Sequence, residues 1–443
     1  MTRVRSAKAF ALQLAVLLMS SAAPGFAQPA RSADREPLQL GALQREAAAA
    51  DARTREVELL ARQTDLRLRS IDVERLPSVS ALGQSQYQSD APSAPFNGPD
   101  GQPVFASPKF TYDASLRVDQ RLYDASIQPR RDLARADLAE SQSRVRTALF
   151  ALRQEVNDAF FGAALLQEQL AALTATLDDL EGRLTKMTRR VREGTALPGE
   201  AAAIEATLLQ QRQQADSLRS SRRAALARLA ILTGRAIDPD AAVVLPELTD
   251  RLSQARETLG ARARPEYEQF DRAREKAGRQ QDVAKAADRP QLSAFGRGGY
   301  GRPGLNFASD RPEGYALAGV QLQWKAWTWG TSDRERDVLA LQQTIVSAEE
   351  AAFTSALRRA TQADLAAIEH LEASLPTDDR VVALREGIDR TARARLGEGV
   401  ITASEYLDRH TEWLNAQFER SRHRVELAQA RARVLTTLGL EVQ

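Results

Sequence analysis

The sequence has no cysteine, few aromatic residues and little net charge, and each shortage excludes a class of protein. Of 443 residues none is cysteine and only 5% are aromatic. Without cysteine there are no disulfides, no cysteine metal sites, no thiol catalysis and no lipid anchor on an N-terminal cysteine. Lys and Arg number 61 against 59 Asp and Glu. Because the two signs are interleaved, no basic face forms, and we expect no nucleic-acid partner.

A long apolar run is also missing. Arg3, Arg5 and Lys8 precede a short apolar run at 10–19, and small residues lead to Ala27. This pattern predicts a signal peptide over 1–27, cleaved after Ala27. The run is shorter than the roughly 20 residues of a membrane-spanning helix, and no later run reaches that length. If the mature chain enters a membrane, it must do so as strands.

What the sequence does contain is an internal repeat, and a repeat has to be identified before a fold can be assigned. The segment Pro-Ser-Val-Ser-Ala-Leu-Gly at 77–83 returns as Pro-Gln-Leu-Ser-Ala-Phe-Gly at 290–296. Glu-Gly at 193–194 returns at 398–399. We therefore divide the mature chain into a first structural repeat at 28–240 and a second at 241–443.

Each repeat opens with helical sequence, at 38–74 and 251–287, which ends before Pro77 or Pro290. Segments of strict alternation follow, apolar on one face and polar or charged on the other. The predicted strands lie at about 78–88, 110–122, 291–300 and 315–326.

Strands of about 9 to 11 residues suit a tilted crossing of a bilayer. Half of a soluble sandwich shows the same alternation. Only four such strands exist here, however, and their polar faces are too charged for a sandwich interior.

Long helical hairpins fill the rest of each repeat. Between Leu149 and Val191 the apolar positions are spaced alternately by three and four residues, which indicates a coiled-coil seam. In the returning helix Gln211 and Arg222 interrupt the seam. The predicted hairpins span 127–234, with a tip at 194–199, and 332–439, with a tip at 397–404. Capping boxes are predicted at Ser332-Asp-Arg-Glu335 and Thr402-Ala-Ser-Glu405.

Four strands cannot close a barrel, and an open edge in lipid would leave backbone groups unpaired. The chain must therefore form oligomers. Two copies would give eight strands with a filled interior, and three would give twelve with room for an aqueous path.

Several junction motifs carry a family resemblance. They are Arg-Pro-Glu at 264–266, Leu-Tyr-Asp at 122–124, Trp-Thr-Trp-Gly at 327–330 and Gly-Val-Ile-Thr-Ala-Ser-Glu-Tyr-Leu-Asp at 399–408. With the duplication, they make the whole mature chain resemble the TolC-like outer-membrane efflux family. The resemblance implies a mainly α fold with transmembrane β-strands: a homotrimeric twelve-stranded β-barrel continued by a periplasmic α-helical barrel.

The resemblance also implies a location and partners. The trimer would lie among the outer-membrane lipids of a Gram-negative bacterium, with a large periplasmic part. It would be the passive exit duct of a tripartite efflux or type I secretion system, bound to a periplasmic adaptor (membrane fusion) protein and an inner-membrane pump. The sequence does not identify the cargo.

The resemblance assigns candidate sites to the periplasmic end. The candidates for adaptor docking at the two tips are Arg190, Glu193, Gly194, Thr195, Arg395, Glu398, Gly399 and Val400. The candidates for an acidic pore constriction are Glu405, Asp408 and Glu200, the counterpart of Glu405 in the first repeat. Leu396 and Ile401 stand where the best-known members have a tyrosine and an arginine that hold the tube closed.

Two other classes of function share some of these features. An enzyme is disfavoured because the dinucleotide-like Gly-Arg-Gly-Gly-Tyr-Gly at 296–301 runs into Arg-Pro-Gly, which prevents the required helix. His370, His410 and His423 suggest surface helix positions, and the acidic pairs at 178–179 and 378–379 suggest solvated faces. We expect no catalytic, cofactor or metal site. The remaining alternative is a periplasmic adaptor or coiled-coil scaffold, although an adaptor would carry one hairpin rather than two.

Overall fold

The structure is a computed structural model that describes residues 37–93, 107–257, 262–305 and 311–442, with residues 96, 98, 99 and 101. The predicted signal peptide at 1–27 lies outside the described residues. The elements are α1 Leu40–Ala50, α2 Arg53–Val73, β1 Ser78–Tyr87, β2 Phe110–Asp124, α3 Ile127–Arg192, α4 Pro198–Thr233, α5 Thr249–Glu257, α6 Pro265–Ala287, β3 Gln291–Arg302, β4 Glu313–Gln323, α7 Thr331–Glu398 and α8 Ala403–Leu438.

The mainly α fold with a duplicated unit is confirmed: two helices, two strands and a long hairpin occur twice in order. At 66 and 68 residues, α3 and α7 are each about 100 Å long at about 1.5 Å per residue. Within the described ranges, no helix combines the length and the apolar character required to cross a membrane.

The helices that open the repeats are each interrupted, where single stretches were predicted at 38–74 and 251–287. Between α1 and α2, the Asp51 carboxylate accepts a hydrogen bond from the Arg53 backbone N–H at 2.8 Å and pairs with its guanidinium. The side-chain hydrogen bond from Arg53 lowers the pKa of Asp51 to about 2. The Asp51 carboxylate thus binds the first backbone N–H of α2, so that α2 begins here as a separate helix.

The second hairpin does not begin as predicted, and the prediction of a capping box at Ser332 is wrong. Trp329 and Gly330 both have left-handed backbone conformations, with φ of 53° and 72°. The helix therefore starts at Thr331, and the Ser332 hydroxyl donates to the Asp288 carboxylate instead of capping. The Trp324 indole N–H donates to the Asp288 carbonyl at 3.0 Å, and β4 ends at Gln323 rather than at 326.

The coiled-coil seam forms the core of the hairpins. Leu173, Leu180 and Ile204 are fully buried between the helices. Arg222, which interrupts the seam, donates to the Ala241 carbonyl at 2.6 Å and to the Pro239 carbonyl at 3.2 Å. It thereby holds the segment that follows α4 against the hairpin, where Val243 joins a second core cluster with Val156.

The elements lie side by side in open layers. The sheet has the order β1-β2-β3-β4 and is antiparallel throughout. Beside it, the neighbouring helices run α2-α3-α6-α7, and towards the tips they run α4-α3-α8-α7. Each layer therefore has two free edges, and α7 forms one of them along its whole length.

The free edges of the helical layer beside the sheet carry exposed apolar side chains at helical spacing. On α2 and its end these are Leu59, Leu66 and Val73, and on α7 they are Val338, Leu341 and Ile345. Within the described part of one chain, no helix packs against the outer side of α2 or α7 here, so these apolar side chains stay exposed. The layer is therefore incomplete in a monomer.

Candidate functional site

The two faces of the sheet differ sharply in chemistry. Register and alternation place on one face Val79, Ala81, Tyr87, Phe110, Tyr112, Ala114, Leu116, Val118, Leu292, Ala294, Tyr300, Ala316, Ala318, Val320 and Leu322. Leu116 and Val320 are 59% and 63% exposed, so this apolar face is uncovered. A continuous apolar face of this kind is suited to lipid rather than water.

The opposite face carries a hydrogen-bonded polar cluster. The Asp113 carboxylate accepts from Arg297, Ser115 and the Tyr315 hydroxyl. Gly299 makes room for this arrangement, because a Cβ there would lie 2.7 Å from the Tyr315 ring and from the Ser115 side chain. The polar face is therefore internally paired, with Arg117 also paired to Asp119 at 2.8 Å.

The first tip joins α3 to α4 through Gly194, whose φ is 73°. The Thr195 N–H donates to the Arg190 carbonyl at 2.8 Å, which ends α3 with the usual left-handed glycine turn. The Arg190 side chain leaves this tip and donates to the Leu396 carbonyl at 3.1 Å. Arg190 therefore satisfies a carbonyl at the C-terminus of α7 and ties the two tips together.

The second tip repeats the turn at Gly399, with φ of 74° and the Val400 N–H on the Arg395 carbonyl at 2.9 Å. The predicted capping role of Thr402 is confirmed, since its hydroxyl accepts from the Glu405 N–H at 3.2 Å. The Ala403 N–H is not satisfied from within α8. It donates to the Glu200 carboxylate, which belongs to the first tip.

The three candidate constriction residues differ in their surroundings. Glu200 is half-buried and engaged at the N-terminus of α8. Glu405 and Asp408 are exposed, and Glu405 borders a shallow groove between α7 and α8 that also holds Ile388, Arg395 and Arg409. Leu396 is buried in the hairpin core and Ile401 packs against it.

The structure also contains a buried polar network that the sequence analysis missed. The Asp179 carboxylate of α3 accepts from Arg183 at 2.7 Å and from the Tyr406 hydroxyl at 3.1 Å. Arg393 of α7 lies 3.4 Å from Asp179 and donates to Asp389 at 2.9 Å. Three helices from both repeats, α3, α7 and α8, thus meet in one network near the tips.

Burial and charge pairing shift the pKa of Asp179 in opposite directions. Burial alone would raise the pKa of Asp179, but Arg183, Arg393 and Tyr406 outweigh it, so that the pKa lies below its usual value. Burial raises the pKa of Tyr406, which keeps the phenol protonated and able to donate to Asp179. The network therefore stays charged on Asp179 and neutral on Tyr406 at ordinary pH.

The expectation that all three histidines and both acidic pairs are solvated was wrong for several of them. His410 is fully buried, stacks on Tyr406 and has its Nδ1 2.9 Å from Asp389. His423 pairs with Asp378 at 2.7 Å. The missed signal is the spacing of four residues between Tyr406 and His410 and between Asp389 and Arg393, which puts each pair on one helix face.

Comparison with known proteins gives a consistent result. Residues 49–235 match the outer membrane efflux protein family. No curated protein matches the chain in sequence.

Solved channel structures share the fold over nearly the whole chain. CusC aligns with a TM-score of 0.66 and 15% identity, over 91% of this chain and 92% of CusC. CmeC of Campylobacter jejuni aligns with 0.64 and 15%, over 94% and 90%. The open state of MtrE from Neisseria gonorrhoeae aligns with 0.62 and 19%, over 91% and 89%.

The glycine at the second tip provides a test of this geometry. Gly399→Ala should destabilise the tip by about 1–2 kcal/mol, because the left-handed backbone disfavours a Cβ and that Cβ would lie 3.1 Å from the Arg190 guanidinium. Hydrogen exchange of the tip amides should accelerate by about tenfold. The matched control is Gly397→Ala, where a Cβ meets nothing within 4 Å and the backbone is helical. Equal acceleration in both variants would contradict this account of the turn.

Proposed function

We propose, on the premise that the chain belongs to the outer membrane efflux protein family, that three copies form the exit duct of a tripartite export system. The chain is located in the outer membrane, with its long helices in the periplasm. Members of this family are channels rather than enzymes. The duct is passive, and its cargo is delivered by an inner-membrane pump through a periplasmic adaptor.

The open, two-faced sheet is the observation that carries this proposal. Its apolar face is exposed, and β1 and β4 leave unpaired backbone groups at both edges. Ring closure pairs β4 of one copy with β1 of the next, so that twelve strands close a barrel with the apolar face in lipid. The same step brings the apolar side chains of α7 against α2 of the neighbouring copy, which extends the ring into a helical tube.

A charged residue on the free edge of α7 should prevent closure. Leu341 is 63% exposed in one chain, and Leu341→Glu would place a carboxylate in the proposed contact between subunits. Light scattering of the purified protein should give three times the subunit mass for the wild type and mainly one subunit for this variant. Leu341→Met is the control and should stay trimeric. A trimeric Leu341→Glu protein, or a monomeric wild type with no bilayer conductance, would refute the proposed ring.

The adaptor is proposed to bind the exposed parts of the tips. Arg190 is occupied between the tips, so its role there is to fix their relative position. Glu193, Gly194, Thr195, Arg395, Glu398, Gly399 and Val400 are exposed around it. Val400 and Leu197 add apolar side chains that are 66% and 72% exposed, as expected at the centre of a contact with another protein.

Photocrosslinking in cells tests this placement. A crosslinking residue at Thr195 or Val400 should give adaptor adducts, because both positions are exposed at the tips. The control position is Thr174, which is exposed on α3 several turns before the tip. Adducts from Thr174 alone would show that the adaptor binds along the helices and not at the tips.

The acidic constriction is proposed at Asp408 and Glu405, whose carboxylates are exposed at the start of α8. Three copies of each would attract cations and repel one another. Glu200 takes a different part in the proposal: by binding the Ala403 N–H it holds the start of α8 in place.

Bilayer conductance measures the effect of this constriction. Asp408→Asn combined with Glu405→Gln should weaken block by divalent cations about tenfold, since the carboxylates that bind them are gone. The charge-preserving control Asp408→Glu should retain the block. Block that is unchanged in the double variant would place the constriction elsewhere.

A further inference from the structure

At the foot of the polar sheet face, where β3 begins and β4 ends, two cations have no acidic partner among the described residues. We infer that Arg289 and Lys325 of the three copies form an electropositive collar in the channel, which favours the passage of anionic solutes. This inference rests on the proposed function, because it needs the ring of three copies. It specifies the charge of the cargo, namely anionic solutes, which neither the family nor the residues at the tips indicate.

The register of the sheet places both residues on the polar side. Gln291, the first residue of β3, pairs with Gln323, the last residue of β4. By alternation both lie on the face that carries Arg297 and Asp113, opposite the apolar face. Arg289 lies two residues before Gln291, and Lys325 lies two residues after Gln323. Both line one cleft of about 400 Å³ with Gln291 and Gln323.

The other charges of this cleft are neutralised. Arg130 makes a two-pronged contact with Glu74 at 2.7 and 2.8 Å, and Arg121 contacts Asp124 at 3.1 Å. The hydrogen bonds from Arg130 are the main reason that the pKa of Glu74 lies below its usual value. These four groups form a closed set of two cations and two anions.

Arg289 and Lys325 have no such compensation. Both side chains are exposed, and among the described residues no carboxylate lies within 4 Å of either. The nearest acidic residue in sequence, Asp288, accepts a hydrogen bond from Ser332. Within one copy these are two unneutralised positive charges at one level, and the inference is that they stay unneutralised in the ring.

In the closed ring these charges repeat around the channel. With the apolar face in lipid, the polar face and its foot border the aqueous path, where rings of Arg and Lys select anions. Low-dielectric walls around a water-filled path strengthen the field of such a ring. The collar lies at the strand end of α7, whereas Glu405 and Asp408 lie at its tip end, so the two regions act on a permeating solute in sequence.

The test is ion selectivity in planar bilayers under a KCl gradient. The background is Glu405→Gln with Asp408→Asn, so that the acidic mouth does not mask the collar. Adding Arg289→Gln and Lys325→Gln should lower the ratio of chloride to potassium permeability by about threefold at about 0.1 M salt, where the Debye length is about 10 Å. The difference should nearly vanish at about 1 M, where that length is about 3 Å.

The controls separate selectivity from assembly. Arg289→Lys with Lys325→Arg preserves both charges and should keep the chloride preference. Trimer mass and single-channel conductance of the Gln variant establish that the ring still forms.

An unchanged permeability ratio in a conducting Gln variant would overturn the collar while leaving the exit duct standing. An unchanged ratio with loss of co-purified anionic lipid would also overturn it, and would assign the two cations to the membrane. A wild-type protein that does not conduct at all would overturn the exit duct itself, and the collar with it.

Discussion

Unpaired backbone groups at the edges of the four-stranded sheet are the constraint on which the rest of the structure depends. In lipid no water can satisfy them, so β1 and β4 require strands from other copies. The helical layers follow the same logic, since α7 leaves apolar side chains without partners along the edge that continues from β4. In the proposed ring one chain is a sector, and each repeat supplies that sector with two strands and one hairpin.

The tip end of the chain is held together by polar contacts between the repeats. Arg190 binds a carbonyl of α7, Glu200 binds the first turn of α8, and Asp179 accepts from Tyr406. Breaking any one of them would leave a buried or half-buried polar group without its partner, at a typical cost of about 1–3 kcal/mol. The two tips therefore behave as one unit, and their relative position is set by residues of both repeats. Because Leu396 and Ile401 pack in the hairpin core, polar ties at this end come from other positions.

Charge is distributed unevenly along the molecule although the chain as a whole is nearly neutral. Most arginines of α2, α3 and α6 are matched by carboxylates on the same or the neighbouring helix, as with Arg130 and Glu74. Among the exceptions are acidic side chains at the start of α8 and basic side chains at the foot of the sheet. In the proposed passive duct, where no conformational work is done on the cargo, such local fields are the means by which the wall discriminates between solutes.

Local pattern in the sequence determined the duplication, the alternating strands, the seam from Leu149 to Val191 and the glycine turns at Gly194 and Gly399. Each depends on residues a few positions apart, whose side chains must share a face or a turn whatever the rest of the chain does. Tertiary structure alone decided which polar groups meet. Arg190 with Leu396, Glu200 with Ala403, and Tyr406 with Asp179 are about 200 residues apart in sequence. The burial of His410 and the isolation of Arg289 and Lys325 likewise follow from how the two repeats pack, because a side chain's partner depends on neighbours that no local period specifies.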